Sequence, residues 1–143
     1  MTLRFDLGPF EELYIGKCVI KNSHERSLFA VEGNMPILRG KDVLSEESLC
    51  DGMDRLYYCV QRMYLEEAYP KYQGSYLQFV AQAMRENPML HSDIQAADQL
   101  VQTGDFYKAL RALKKLVRRE AFVDQSHPGN YRERVNGWKK TYS

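Results

Sequence analysis

Tyr76-Leu77-Gln78-Phe79-Val80-Ala81-Gln82-Ala83-Met84-Arg85 is the stretch where the chain shows its class. Projected at roughly 100° per residue, Tyr76, Leu77, Phe79, Val80, Ala83 and Met84 share one arc, opposite Gln78, Gln82 and Arg85, as in an amphipathic helix. The residues before position 62 are spaced differently. Leu3-Arg4-Phe5-Asp6-Leu7 alternates apolar and polar side chains, as a half-buried strand does, and Gly8-Pro9 ends it. Leu13-Tyr14-Ile15 before Gly16, then Cys18-Val19-Ile20, Leu28-Phe29-Ala30-Val31 and Ile37-Leu38 are further strand candidates. The polar run Lys21 to Ser27 has the composition of a hairpin connection between the second pair. Leu56-Tyr57-Tyr58-Cys59-Val60, aromatic and β-branched, is predicted as one more strand after the acidic loop Ser45 to Asp54.

Downstream, Asn87-Pro88 stops the helix and offers an N-cap and a first helical residue for the next one, which runs to Gly104 with Leu90, Ile94, Ala97 and Val101 facing inward. Asp105 can cap a further helix continuing to about Phe122, antiparallel to its predecessor. The reading is therefore α+β: a small antiparallel β-sheet or partial barrel, followed by a helical hairpin or three-helix segment. Residues 1–61 form the β-rich part and residues 62–123 a helical part packed on it as one unit. Residues 124–143 form a basic, aromatic-containing tail expected to be flexible.

At 143 residues, with 44% hydrophobic and 27% charged side chains, the chain is long enough for one core and too short for two full domains. The longest stretch without a charged residue, Tyr72 to Met84, falls short of a membrane span and is interrupted by glutamines. Met1-Thr2-Leu3-Arg4-Phe5-Asp6 has no export-signal character, so the cytoplasm is the expected address. Cys18, Cys50 and Cys59 are odd in number and form no Cys-x-x-Cys pair, which suggests reduced, mostly buried thiols. Catalytic patterns are missing. Gly40-Lys41-Asp42 lacks the remainder of a phosphate-binding loop, and His24, His91 and His127 are not at ligand spacing. Glu46-Glu47 and Glu66-Glu67 are adjacent and so point to different faces. No active site, metal or cofactor is assigned.

Charge is unevenly distributed behind a net +1. Residues 1–60 carry seven basic and ten acidic side chains, residues 61–104 three and five, and residues 105–143 ten and four. On the Asp105–Phe122 helix, Phe106, Ala109, Leu110, Leu113, Leu116 and Val117 would face the core. Lys108, Arg111, Lys114, Lys115, Arg118 and Arg119 share the other side, with Tyr107 among them. Cations around a ring that can stack suit RNA, and a solvated basic face complementing the helix dipole is the plainer alternative. Lys17, Lys21, Arg26, Arg39 and Lys41 form a competing patch on the β part, ranked second because acidic neighbours outnumber them. In the tail, Tyr131, Trp138 and Tyr142 lie among Arg132, Arg134, Lys139 and Lys140 and are candidates for docking a protein partner.

Four pieces occur in a familiar order: Cys18-Val19-Ile20-Lys21-Asn22, Pro36-Ile37-Leu38-Arg39-Gly40-Lys41-Asp42, Met63-Tyr64-Leu65 and Tyr107-Lys108-Ala109-Leu110. With the Leu-and-basic helix that follows, the chain to about Glu120 resembles the FlbT family of flagellum biosynthesis repressors. It departs from that pattern at Asn22-Ser23, where an Asn-Gly turn is expected, and at Cys59, where a proline is expected. The resemblance implies a non-catalytic post-transcriptional regulator that binds the 5′ untranslated leader of flagellin mRNA and promotes its degradation. It also implies a FlaF-type regulator as partner and leaves self-association open. The alternative is a protein-interaction module acting through flagellin or that partner, with indirect effects on RNA.

Overall fold

The strand candidates of the first 40 residues become five short strands. In the computed structural model, which describes residues 2–122, these are β1 (Thr2–Leu7), β2 (Glu12–Ile15), β3 (Cys18–Lys21), β4 (Ser27–Glu32) and β5 (Ile37–Arg39). They form two sheets. β1 pairs antiparallel with β4, from Thr2 opposite Glu32 to Leu7 opposite Ser27. β2 is the centre of a three-stranded sheet, flanked by β3 and β5. Gly16, at φ +56, begins the two-residue turn of the β2–β3 hairpin, a conformation that glycine adopts without a Cβ clash.

The predicted hairpin between Cys18-Val19-Ile20 and Leu28-Phe29-Ala30-Val31 is not formed: β3 pairs with β2, and β4 pairs with β1. The polar run between them crosses from one sheet to the other, held by the buried Asn22. Its amide nitrogen donates to the carbonyls of Leu7 (3.1 Å), Gly8 (2.7 Å) and Glu25 (2.8 Å), and its Oδ1 accepts from the Ser27 hydroxyl (3.0 Å). Beside it, Phe10 sits at φ +62, strained for a bulky residue, while its amide donates to the Ser23 carbonyl (2.9 Å) and its side chain is buried. Leu7, Leu13 and Leu38 are buried in the same unit.

The chain divides into two compact units between Lys41 and Asp42. The second unit, residues 42–122, contains four helices: α1 (Gly52–Glu66), α2 (Tyr69–Glu86), α3 (His91–Gln102) and α4 (Phe106–Lys114). α1 is the correction to the strand predicted at Leu56-Tyr57-Tyr58-Cys59-Val60. The Asp51 side chain caps it by accepting from the Asp54 amide (2.9 Å), and Met53, Leu56, Tyr57, Val60 and Met63 are all buried. Cys59, Gln61 and Leu65 are buried too, so the polar face of α1 narrows to a half-buried strip of Arg55, Tyr58, Arg62 and Glu66, and the five-residue apolar run by itself reads equally well as a strand. α1 packs on α2 and α4, and α3 packs on α4. A Cβ at Gly52 would come within 3.0 Å of α2 atoms, including the Ala83 backbone nitrogen, so glycine permits the close approach of α1 to α2.

α2 ends at Glu86 and Gly104 takes φ +81 after α3, both where the sequence places the stops. Asn87, expected to cap the next helix, instead donates from Nδ2 to the Ala83 carbonyl (2.9 Å) and closes α2, and a 3-10 turn, Pro88–Leu90, precedes α3. Ile94, Ala97 and Val101 are buried and Leu90 is half-buried. Leu77, placed in the inward arc of α2, is 58% exposed. No described helix is long and apolar enough to cross a membrane. Among the thiols Cys59 is buried, and burial pushes its pKa up to about 11, whereas Cys18 and Cys50 are exposed, contrary to the expectation of mostly buried cysteines.

Candidate nucleic-acid interface

Asp105 starts α4 as its sequence implies, with Oδ1 accepting from the Lys108 amide (3.3 Å). Ala109, Leu110 and Leu113 are buried on the inner face, Val117 is buried just beyond, and Phe106 and Leu116 are half-buried. The helix ends at Lys114 rather than near Phe122. Residues 115–117 turn, Arg118 is extended at φ −59 and ψ 138, and a 3-10 turn covers Arg119–Ala121. The cause lies in α1. The Asp54 carboxylate is fully buried and its Oδ2 accepts from the Cys50 amide (3.0 Å); Arg118 leaves the helical path, donates to that oxygen from Nε (2.9 Å) and brings Nη2 within ion-pair distance of it (2.8 Å). Nη2 also donates to the Ser48 carbonyl (2.6 Å). A buried carboxylate without a cation costs far more than the helical turn that is lost.

This divides the six predicted cations. Lys114 is ion-paired with Asp42 and lies over the Phe122 ring at 5.2 Å, and Arg118 is held by Asp54, so both are tied into the helical unit. Asp42 also accepts at its carbonyl from the Tyr57 hydroxyl (2.5 Å), and burial pushes the Tyr57 pKa strongly up. Lys108, Arg111, Lys115 and Arg119 remain exposed. The first three are three and four residues apart and share a face, while Arg119 follows in the 3-10 turn. Lys108 lies 3.5 Å from Asp105 at the surface; among the described residues Arg111, Lys115 and Arg119 make no ion pair. Tyr107 is 46% exposed, its ring 6.0 Å from that of Tyr64 and tilted by 43°.

The competing patch is more neutralised. Arg26 pairs with Asp6 (2.9 Å), Arg39 approaches Glu11 (3.9 Å), and Lys21 lies opposite Glu12 in the sheet. Tyr131, Trp138 and Tyr142 lie outside the described residues, as does His127. His24 faces Glu25 at 3.7 Å and His91 contacts the Met84 carbonyl at 3.0 Å, and no three His, Cys, Asp or Glu among the described residues group as a metal site. One feature the spacing could have revealed is the α1 series Tyr58, Arg62, Glu66. The Arg62 guanidinium lies 5.8 Å from the Tyr58 ring centre and 5.0 Å from that of Tyr72, and it donates to Glu66 (2.7 Å). Tyr72 donates to the same carboxylate (2.9 Å).

These features define a small α+β protein carrying an exposed cationic helix face. A profile of the family described as flagellar protein FlbT matches residues 3–123. A probable flagellum biosynthesis repressor protein FlbT of Rhodopseudomonas palustris strain TIE-1 is 42% identical over 120 residues, covering 84% of this chain and 95% of the relative. A second, from Bradyrhizobium diazoefficiens, is 31% identical, covering 84% and 83%. The flagellum biosynthesis repressor protein FlbT of Caulobacter vibrioides strain ATCC 19089 is 26% identical, covering 84% and 87%. No solved structure matches the chain. The chain belongs to the FlbT family.

Proposed function

We propose that this protein represses flagellum biosynthesis in the cytoplasm by binding the 5′ untranslated leader of flagellin mRNA and promoting its decay. Kinship with proteins named flagellum biosynthesis repressors supports the first part. The observation that supports RNA as the target is the division of the cations: Lys108, Arg111, Lys115 and Arg119 are exposed, whereas Lys114 and Arg118 are taken up by carboxylates. Exposed cations supply the sequence-independent part of RNA affinity, and Tyr107 offers a face on which an unpaired leader base can stack. Decay is left to a host nuclease, since the proposed surface binds and does not cleave.

The test is fluorescence anisotropy of a flagellin leader against a scrambled RNA of equal length. The leader should bind tighter, and replacing Arg111, Lys115 and Arg119 together by Glu should abolish binding without lowering the melting temperature. Arg118→Ala, by contrast, strands the buried Asp54 carboxylate and should lower the melting temperature by roughly 5 °C. Equal or negligible binding of both RNAs rejects RNA recognition by this chain, and the repression would then run through a protein partner.

A further inference from the structure

Among the described residues, the second edge of β4 pairs with no strand. β4 is six residues long and is paired without a bulge from Ser27 to Glu32, but only on its β1 side. It contains no proline or lysine, the residues that commonly guard an edge. The other edges are guarded. On β1, Arg39 donates to the Asp6 carbonyl (3.3 Å) and its guanidinium lies over the Phe5 ring at 5.5 Å. β3 has four residues, follows Lys17 and ends with Lys21, and β5 has three. Along β4 the side chains alternate: Ser27, Phe29 and Val31 are half-buried, and Leu28, Ala30 and Glu32 are exposed, Leu28 at 80%.

We propose that a second copy of this chain adds to the β4 edge, antiparallel about a two-fold axis at Phe29, to form a four-stranded sheet across the dimer. The occupant is identified by self-complementarity. In this register Leu28 lies opposite Ala30, Ser27 opposite Val31, and Arg26 opposite Glu32, and the symmetry gives each pair twice. Phe29 meets Phe29 of the second copy, continuing the cross-strand pair with Phe5 into a row of four rings on one face. Arg26 and Glu32 lie on the same face as Leu28, and Arg26 is 67% exposed, so its guanidinium can serve Asp6 of its own chain and Glu32 of the second copy together. Neighbouring registers fail. Moving the axis to Ala30 sets Leu28 against Glu32; moving it to Leu28 sets Arg26 against Ala30 and Glu32 against His24; half-residue shifts turn the apolar face of one copy to the polar face of the other.

Sedimentation velocity of the full chain, from about 1 to 100 µM, reads the monomer–dimer equilibrium directly. Arg26→Glu and Glu32→Arg should each raise the dissociation constant about ten-fold by setting like charges opposite one another. The double variant should restore wild-type affinity, and a mixture of the two single variants should form heterodimers in preference to either homodimer. Leu28→Lys, at an exposed position, should also give monomers, with circular dichroism unchanged. A wild-type chain that stays monomeric over this range overturns the proposal and leaves the edge to another segment or partner. A dimer indifferent to the charge exchange also overturns it, placing the interface elsewhere.

Discussion

Asp42 and Asp54, neither of them near α4 in sequence, determine which cations of α4 and the turn after it face solvent. Each draws in one basic side chain, so a face that looks continuous in projection is interrupted at Lys114 and Arg118. Glu66 makes a second charged cluster that can be read through pH. Burial alone would push its carboxyl up, but hydrogen bonds from Arg62 and Tyr72 outweigh burial and hold it below its ordinary value of 4.5. A carboxyl lowered in the folded state contributes stability that is complete above 4.5 and is lost as the pH falls through the lower folded value. Glu66→Gln should therefore cost about 0.5 kcal/mol near neutral pH, the scale of a surface i,i+4 pair, and the gap from wild type in urea midpoints should close below that value. A gap that stays constant down to about pH 3 would show that the charge of Glu66 contributes nothing.

At the scale of elements, two glycines outside close contacts, Gly104 and Gly74, should respond with opposite sign. Gly104, at φ +81, ends α3 in a conformation that suits glycine, so Gly104→Ala should destabilise by about 1 kcal/mol. Gly74 lies inside α2 with open space where a Cβ would go, so Gly74→Ala should stabilise by about 0.5–1 kcal/mol. Paired denaturant melts check both; a loss of stability at Gly74 would mean that α2 is not continuous there. These stops were legible because Gly104 and Asn87-Pro88 act through their own backbone preferences. The Leu56–Val60 run was not, because four of its five residues are buried and the polar strip that marks the helix, Arg55, Arg62 and Glu66, lies outside that window. Nor was the break after Lys114, where the local sequence favours helix and a distant carboxylate prevails.

For the whole molecule, charge is the property that reaches furthest into solution. With three to four phosphate contacts from Lys108, Arg111, Lys115 and Arg119, the logarithm of leader affinity should fall against the logarithm of salt with a slope of about −2 to −3. A slope near zero in an anisotropy titration would remove the cationic face from the interaction. Sequence alone determined what depends on near neighbours: strand β1 from alternation and β2 to β5 from short apolar runs between turn residues, the stops at Asn87 and Gly104, the Asp105 cap, and a cationic C-terminal helix on an α+β chain. Tertiary structure decided what depends on partners far along the chain. Asn22 routes the polar crossing between two sheets, α1 is helical because it is surrounded, and Asp42 and Asp54 choose which cations stay exposed. The physical reason is that desolvation and buried charge are properties of an environment, and 72 residues separate Asp42 from Lys114 and 64 separate Asp54 from Arg118.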